Sequence, residues 1–263
     1  MERVRYYYLI KLQYLGFRYH GWLKQPNVKT VEHMVHRTLR FILGKERWFK
    51  IIASGRTDAK VSVSQTYIEL FIENEPLDLE SFLPLFNKNL PKDIRALEIS
   101  ETHADFNIIQ NPQIKEYHYN FCFGQKFHPF CAPFMTNIIE DLDVEAMIQA
   151  APLFEGAHDF WSYTYRPTPK TQTKGEIISC FIERNNELKG LFFPEESYVL
   201  KVKSQGFKRH QIRMMMGALI KLGLGEFDMD FIKQTIEGEN RIPMNHIAPA
   251  SGLILHEVTM LEE

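Results

Sequence analysis

The amino-acid sequence predicts an α+β fold with a mainly antiparallel central sheet flanked by helices. Apolar residues alternate with polar ones in several segments, as in half-buried strands, and recur at helical spacing in others. These segments follow one another irregularly and with hairpin-like spacing, which favours an antiparallel sheet over a doubly wound parallel one. The second half of the chain also repeats the first loosely, which indicates two halves of similar construction.

The elements of the first half are predicted from local patterns. From Val4 to Tyr14 every second residue is apolar or aromatic, as in a strand with one buried face. Thr30 can cap a helix because its hydroxyl can accept a free backbone N–H of the first turn. The predicted elements are a strand over 4–14, a helix after Thr30 that reaches Leu43, strands over 48–54 and 61–72 around a polar turn at 55–60, a helix over 79–87 and a strand ending near Ser100.

The second half is predicted in the same way. Tyr117, Tyr119 and Phe121 alternate with other residues as in a strand, and Asp143 can cap the helix that follows it. The predicted elements are a strand over 117–123, a helix after Asp143, strands over 175–184 and 197–204, a helix over 207–222 and a last strand over 252–258. The polar stretch 101–105 is the predicted boundary, which divides the chain into residues 1–104 and 105–263.

Composition and charge exclude some classes of protein. Of the 263 residues, 44% are hydrophobic, which excludes a mainly disordered chain. The 31 basic and 33 acidic residues leave a net charge of −2. Nucleic-acid-binding proteins usually carry a basic excess, so any RNA site must come from a local cluster of charge.

Cysteine content and hydropathy indicate the compartment. Cys122, Cys131 and Cys180 form no Cys-x-x-Cys pair and are too few for a disulfide framework, so we expect buried, reduced thiols. The N-terminal segment lacks a secretory apolar region, and no apolar run is long enough for a membrane span. We expect a soluble cytoplasmic protein.

The most distinctive local feature is the segment Ser54-Gly55-Arg56-Thr57-Asp58-Ala59 between two predicted strands. One interpretation is a polar turn in which Thr57 and Asp58 bond their own backbone. The other is a carboxylate held beside a guanidinium, which keeps the acid ionised as a nucleophile in a sheltered site.

The densest basic segment in the chain runs over residues 201–213. It holds five Lys and Arg residues and one His. It is either the solvated start of a helix or a contact for an anion. Cations oppose the dipole at a helix N-terminus, and a bound phosphate would remove that conflict, so the second interpretation is favoured.

Two further patterns bear on chemistry. Lys115-Glu116-Tyr117-His118-Tyr119 is either a half-buried strand or a surface on which a base stacks. The ten histidines show no metal-site spacing, and the sequence has neither a phosphate-binding loop nor a dinucleotide fingerprint. We therefore expect a reaction without cofactor or metal.

Several motifs occur in the order typical of one family, and together they span nearly the whole chain. The chain resembles the bacterial tRNA pseudouridine synthase A (TruA) family. The motifs are Tyr14-Leu15-Gly16 with Gly21-Trp22 and Gln25-Pro26; Thr30-Val31-Glu32; Gly55-Arg56-Thr57-Asp58-Ala59; Asn89-Leu90-Pro91 with Asp93-Ile94; Lys115 with Tyr117 and Tyr119; His158-Asp159-Phe160; Phe207 with His210, Ile212-Arg213 and Gly217; and Ala248-Pro249 with Gly252-Leu253.

The resemblance implies an isomerase that converts uridine to pseudouridine in tRNA, typically in the anticodon stem–loop, without a cofactor. It implies that Asp58 is the nucleophile, that Arg56 holds the flipped-out nucleotide or fills its gap, that Tyr117 stacks on the base and that Arg213 pairs with Asp58. It also implies two similar RRM-like or ferredoxin-like halves around a central RNA-binding cleft, and a homodimer. With the basic segment, the predicted RNA contacts are Arg56, Lys60, Tyr117, Lys203, Lys208, Arg209 and His210.

Some positions depart from the family pattern. After Ala59 the family usually continues Gly-Val-His-Ala, where this chain has Lys60-Val61-Ser62-Val63. A lysine in place of glycine suggests a changed backbone or an additional phosphate contact. Three alternatives therefore stay open: a non-catalytic RNA-binding protein on the same fold, a pseudouridine synthase with another RNA target, and a hydrolase that uses a Cys or Ser with a His.

Overall fold

The computed structural model describes residues 4–237 and 241–261, and its α+β fold confirms the predicted class. A large, mostly antiparallel sheet and five α-helices make up most of this described part. The elements are β1 (Arg5–Tyr14), α1 (Val31–Leu43), β2 (Phe49–Ala53), β3 (Ser62–Glu73), α2 (Leu79–Asn89), β4 (Ile94–Thr102), β5 (Gln113–Cys122), β6 (Thr136–Asn137), α3 (Val144–Ala150), β7 (Gly156–Asp159), β8 (Lys174–Ile177), β9 (Ser179–Arg184), β10 (Tyr198–Ser204), α4 (Gln211–Gly223), α5 (Met229–Ile236) and β11 (Leu253–Met260).

The described residues form two compact units. The first contains residues 4–113 and the C-terminal residues 255–261, and the second contains 114–237 and 241–254. The last strand, β11, therefore contributes most of its length to the first unit. These units group residues by internal packing, whereas the halves 1–104 and 105–263 follow from the polar stretch 101–105 and stay a prediction.

In the first unit the predicted alternation of β1 is confirmed. This strand pairs antiparallel with β3 on one side and β4 on the other, and β2 pairs with the far part of β3. Tyr8, Ile10 and Leu12 are at most 1% exposed and form the core face of β1. Helix α1 begins where it was predicted, because the Thr30 hydroxyl accepts the His33 N–H. The sheet thus places the end of β1 opposite the start of β3, where Tyr14 pairs with Val63.

In the second unit β10 lies between β5 and β9, antiparallel to both. The predicted strand over 175–184 is two strands. Ile178 interrupts it, and its N–H donates to the Lys203 carbonyl. Strand β8 on one side of the break pairs with β7, and β9 on the other side pairs with β10.

Helix α4 begins later than predicted. It starts at Gln211 instead of Phe207, because His210 has a left-handed backbone (φ 58°) that no helix can include. The helix is buried on nearly all sides. Its buried residues are Gln211, Ile212, Met214, Met215, Met216, Gly217, Ala218, Leu219, Ile220, Leu222 and Gly223.

Helix α5 was not predicted. The Asp228 carboxylate accepts the Phe231 N–H at 2.7 Å, and Ile232 and Ile236 are buried four residues apart. Both signals are present in the sequence, but the helix is only two turns long.

The prediction of buried thiols is confirmed. Cys122, Cys131 and Cys180 are free and buried, and burial raises the pKa of each thiol. Within residues 4–237 and 241–261, no helix combines the length and the apolar character that crossing a membrane requires.

Asp93 anchors the loop that follows β1. Its carboxylate accepts hydrogen bonds from Tyr19 Oη (2.7 Å) and Arg18 Nη2 (2.8 Å), and its carbonyl accepts the Leu15 N–H (3.0 Å). Burial disfavours the charged carboxylate, but the bonds from Arg18 and Tyr19 outweigh burial and lower its pKa below the ordinary 3.8. The carboxylate therefore stabilises the folded chain only while it is ionised.

We expect Asp93→Asn to lower the free energy of unfolding at pH 7 by about 1 kcal/mol, since the exposed Arg18 adds little. A lowered pKa contributes stability above pH 3.8, and that stability is lost as the pH falls through the folded-state pKa. Urea unfolding of both proteins at pH 7 and pH 2.5 measures this difference. Asp105→Asn, at an exposed carboxylate, is the control. A difference that is the same at both pH values would contradict the role of the charge.

Candidate active site

The segment Gly55–Ala59 forms the connection between β2 and β3, as predicted. Asp58 is half-buried, whereas Arg56 is exposed. Backbone hydrogen bonds hold both ends of the loop. Trp22 N–H donates to the Thr57 carbonyl (3.1 Å), and Val61 N–H donates to the Asp58 carbonyl (3.2 Å). The backbone around the carboxylate thus has a defined position.

Tyr14, at the end of β1, contributes a side-chain contact to this loop. Its hydroxyl lies 2.8 Å from Thr57 Oγ1. The carbonyl and the hydroxyl of Thr57 are therefore both hydrogen-bonded, one residue before Asp58. The sequence predicted Tyr14 as a strand residue and Thr57 as a turn residue, but not the contact between them. The contact depends on the β1–β3 register, which no local pattern reveals.

Gly21 approaches the same loop so closely that no other residue fits. Its φ is +85°, and a Cβ atom built on it would lie 2.5 Å from the Thr57 carbonyl oxygen. Real Cβ atoms do not come this near to backbone oxygen. The loop after β1 and the loop that carries Asp58 therefore pack backbone against backbone.

Lys60 has a left-handed backbone, with φ of 69°. Glycine adopts this conformation freely, and a side chain there costs about 1–2 kcal/mol. The Lys60 side chain is exposed, and its amine lies 5.9 Å from the centre of the Phe17 ring. Lys60 thus adopts a conformation that favours glycine, and its charge lies at the surface beside the loop.

The two tyrosines of β5 have different environments. Tyr119 is fully buried, and its hydroxyl bonds Thr136 Oγ1 and the Pro249 carbonyl, each at 2.8 Å. Burial accordingly raises the pKa of Tyr119. Tyr117 is half-buried, and its ring meets Phe207 edge to face at 5.2 Å. Tyr119 therefore belongs to the core, and Tyr117 retains accessible surface.

Two lysines of the basic segment form ion pairs with carboxylates on neighbouring strands. Lys203 Nζ lies 3.0 Å from Glu116 Oε2, and Lys201 Nζ lies 2.7 Å from Glu183 Oε1. Burial disfavours the Glu116 carboxylate, but bonds from His118 and Lys203 lower its pKa overall. The local positive charge is therefore smaller than the sequence count suggests.

Lys208, Arg209 and His210 lie at the turn before α4. The guanidinium of Arg209 lies 4.9 Å from the ring centre of Tyr165, and the same ring meets His210 edge to face. Burial lowers the pKa of Lys208. Tyr165 was not predicted, although its neighbour Arg166 gives the aromatic–basic pairing common in RNA-binding segments.

Arg213 occupies the first turn of α4 and is half-buried. Its Nε donates to the Ala248 carbonyl (2.8 Å), and Nη1 lies 3.2 Å from His210 Nδ1. These contacts fix the direction of the guanidinium. Of the predicted site residues, Arg56, Asp58 and Lys60 lie in the first unit; Tyr117, Lys203, Lys208, Arg209, His210 and Arg213 lie in the second.

The first unit thus carries a half-buried carboxylate on a held loop, the second an aromatic strand with basic residues, and comparison with known proteins identifies the class. A family model described as tRNA pseudouridine synthase matches residues 150–259. Among individual proteins, the tRNA pseudouridine synthase A of Pelobacter propionicus is 30% identical to this chain over 250 residues. The matched region covers 95% of this chain and 98% of that protein.

Other relatives match over the same extent. A tRNA pseudouridine synthase A 2 of Bacillus cereus is 29% identical over 95% of this chain and 98% of its own length. The tRNA pseudouridine synthase A of Aquifex aeolicus is 26% identical over 96% of this chain and 99% of its own. The chain belongs to the tRNA pseudouridine synthase A family.

Proposed function

We propose that this protein isomerises uridine to pseudouridine in tRNA, in the anticodon stem–loop, with Asp58 as the nucleophile. The activity follows from membership of the family. The observation that supports the site is the loop around Asp58, which hydrogen bonds hold at Thr57 and Val61. A nucleophile needs a fixed position and an ionised side chain. The hydrogen bonds of the loop provide the fixed position.

The reaction moves one bond and exchanges one proton. The bond between N1 and the ribose breaks, the ring turns, and C5 bonds to the same ribose carbon while the hydrogen of C5 leaves to solvent and N1 takes up a proton. Asp58 attacks the ribose or the base and is released when the new bond forms. Because the product has the same atoms as the substrate, the step needs no oxidant, reductant or external energy.

The other predicted residues act on the nucleotide and on the charge of Asp58. A base within a stem must leave its stack, which costs a few kcal/mol, and stacking on an aromatic ring recovers about 1–3 kcal/mol. Tyr117 is half-buried and presents such a ring, and Arg56 is exposed enough to hold the nucleotide or fill its gap. Lys60, Lys203, Lys208, Arg209 and His210 contact the phosphates.

Arg213 pairs with Asp58 in this proposal and keeps the carboxylate charged. We expect Arg213→Met to lower kcat by about 100-fold or more, because the nucleophile loses its counter-charge. The tRNA dissociation constant should rise less than threefold. Single-turnover kinetics and tRNA binding, measured on the same preparations, separate the two effects.

Arg209→Met is the matched control, since Arg209 is exposed and stacks on Tyr165. It should weaken tRNA binding and leave kcat within about threefold. Arg213 also donates to the Ala248 carbonyl, so the melting temperature of its variant must be compared with wild type. If Arg213→Met turns over normally and only binds weakly, Arg213 is a phosphate contact and not the partner of Asp58.

The remaining parts of the proposal concern assembly. The two halves share an RRM-like or ferredoxin-like construction around an RNA-binding cleft, and the protein acts as a homodimer. The repeated order of strands and helices in the two sequence halves supports the first statement. Light scattering of the purified protein at micromolar concentration tests the second.

The test of the function is tritium release from uridine labelled at C5 in bulk tRNA. Wild-type protein should release tritium in proportion to the pseudouridine formed, which mass-shift labelling then locates. tRNA binding without release or pseudouridine would support the non-catalytic alternative. Release from other RNA but not from tRNA would support the alternative with another target.

A further inference from the structure

An open concavity of about 750 Å³ lies beside the N-terminal half of α1. The loop 24–29 forms one wall, and residues from the first turns of α1 form the other. None of the described residues that line it is acidic. Its polar lining consists of Lys24, Gln25, Asn27, Lys29, His33 and Arg37.

The concavity is strongly positive in a chain whose net charge is −2. Lys24, Lys29 and Arg37 carry full charges, and all three are exposed. The charge of Lys24 reaches a neighbouring titratable group: burial lowers the pKa of His36, and the charges of Lys24 and, from outside the concavity, Arg40 lower it further. Glu32 is the acid in contact with this loop, and its carboxylate accepts the backbone N–H of Lys24.

The wall that carries two of the cations is held rigidly. The Lys29 carbonyl accepts the His20 N–H (2.9 Å), and Gln25 Nε2 donates to the His20 carbonyl (3.1 Å). Asn27 adopts a left-handed backbone (φ 61°) within this loop. The backbone that carries the two lysines is therefore hydrogen-bonded in place before a ligand binds, which lowers the cost of ordering it.

The same loop is joined to the backbone beside Asp58. Trp22 N–H donates to the Thr57 carbonyl, and Lys24 follows two residues later, within about 7 Å of chain. Because this basic segment starts so close to the loop of Asp58, its side chains can reach the phosphates next to a nucleotide bound at Asp58.

We propose that the concavity formed by Lys24, Lys29, His33 and Arg37 binds the phosphodiester backbone of the tRNA substrate beside the reacting nucleotide. This inference rests on the proposed function. RNA is the occupant that fits, because its phosphates recur along the strand as the cations do along the wall. The side-chain amide of Asn27 can also donate to ribose and phosphate oxygens.

The test is the salt dependence of tRNA binding, measured by fluorescence anisotropy between 50 and 300 mM KCl. The triple variant Lys24→Gln, Lys29→Gln, Arg37→Gln loses three contacts that release counterions. We expect the slope of log Kd against log salt to fall by about two to three and Kd at 100 mM to rise on the order of tenfold or more.

Two further triple variants serve as controls. Lys45→Gln, Lys88→Gln, Arg95→Gln makes the same change in net charge at exposed positions of the first unit outside the concavity, and it should change the slope by less than about 0.5. Lys24→Arg, Lys29→Arg, Arg37→Lys keeps the charge and should retain the wild-type slope. Thermal melts check that the variants fold.

Equal slopes for the two neutralising triples would overturn the inference, and so would a fall in kcat without a change in Kd. Binding is measured without turnover, so it is independent of the proposed reaction. If wild-type protein releases no tritium and the first triple still lowers the slope, the proposed function fails and the binding surface stands.

Discussion

Replacement of Asp58 with asparagine is expected to lower tritium release from C5-labelled tRNA uridine by about 10³-fold or more. Asparagine has nearly the shape of aspartate but carries no negative charge, so it cannot form the covalent intermediate that a carboxylate forms. Loss of a nucleophile typically costs several orders of magnitude in kcat. Single-turnover tritium release at saturating enzyme measures the effect on the chemical step.

The binding of tRNA should change little, because RNA contacts lie at many cationic side chains. The backbone bonds that hold the loop run from Trp22 and Val61 to main-chain oxygens, so the variant should also keep its fold. Asp105→Asn, at an exposed carboxylate outside the loop, is the activity control. Equal tritium release from Asp58→Asn and wild type would remove Asp58 from the mechanism.

Gly21→Ala is expected to have the second-largest effect, on both stability and turnover. A Cβ atom at this position would lie 2.5 Å from the Thr57 carbonyl oxygen, so one of the two backbones must move. With the cost of a positive φ, we expect a loss of about 3 kcal/mol or more in the free energy of unfolding. Any shift of Thr57 also displaces Asp58, so the remaining folded protein should turn over at least about tenfold more slowly.

The variant Gly44→Ala separates the effect of the close contact with Thr57 from the cost of a positive φ. Gly44 has nearly the same φ, +86° against +85°, but a Cβ atom there would meet nothing within 4 Å. In this variant the free energy of unfolding should fall by about 1–3 kcal/mol from backbone strain alone, and turnover should stay at the wild-type level. Urea unfolding and single-turnover assays of both variants provide the comparison. If the two lose equal stability and both retain activity, the contact between Gly21 and Thr57 does not position the catalytic loop.

Strands and helix starts with strong local patterns were predicted well from the sequence. The alternation in β1 places Tyr8, Ile10 and Leu12 on one buried face, and the caps at Thr30 and Asp143 start helices at the predicted residues. These features depend on neighbours a few positions apart in the chain. The net charge of −2 gave no indication of an RNA partner, whereas the basic segment and the family motifs predicted one.

Predictions that depended on distant neighbours were less accurate. The helix expected from Phe207 begins at Gln211, because the left-handed His210 ends the turn before it. Arg213 bonds the carbonyl of Ala248, thirty-five residues away, which no helical pattern reveals. The full burial of α4 likewise comes from the elements that surround it and not from its own sequence.

The sequence by itself determined the fold class, most of the longer elements, the loop that carries Asp58 and the motifs of the family, because each depends on patterns within short segments. Only the tertiary structure decided which charged side chains are paired and which residues hold the loop that carries Asp58. Lys203 lies directly opposite Glu116 through the pairing of β10 with β5, and the bond from Tyr14 to Thr57 joins residues forty-three positions apart. Strand register and backbone close approach set these contacts, and both arise only when distant segments fold against one another.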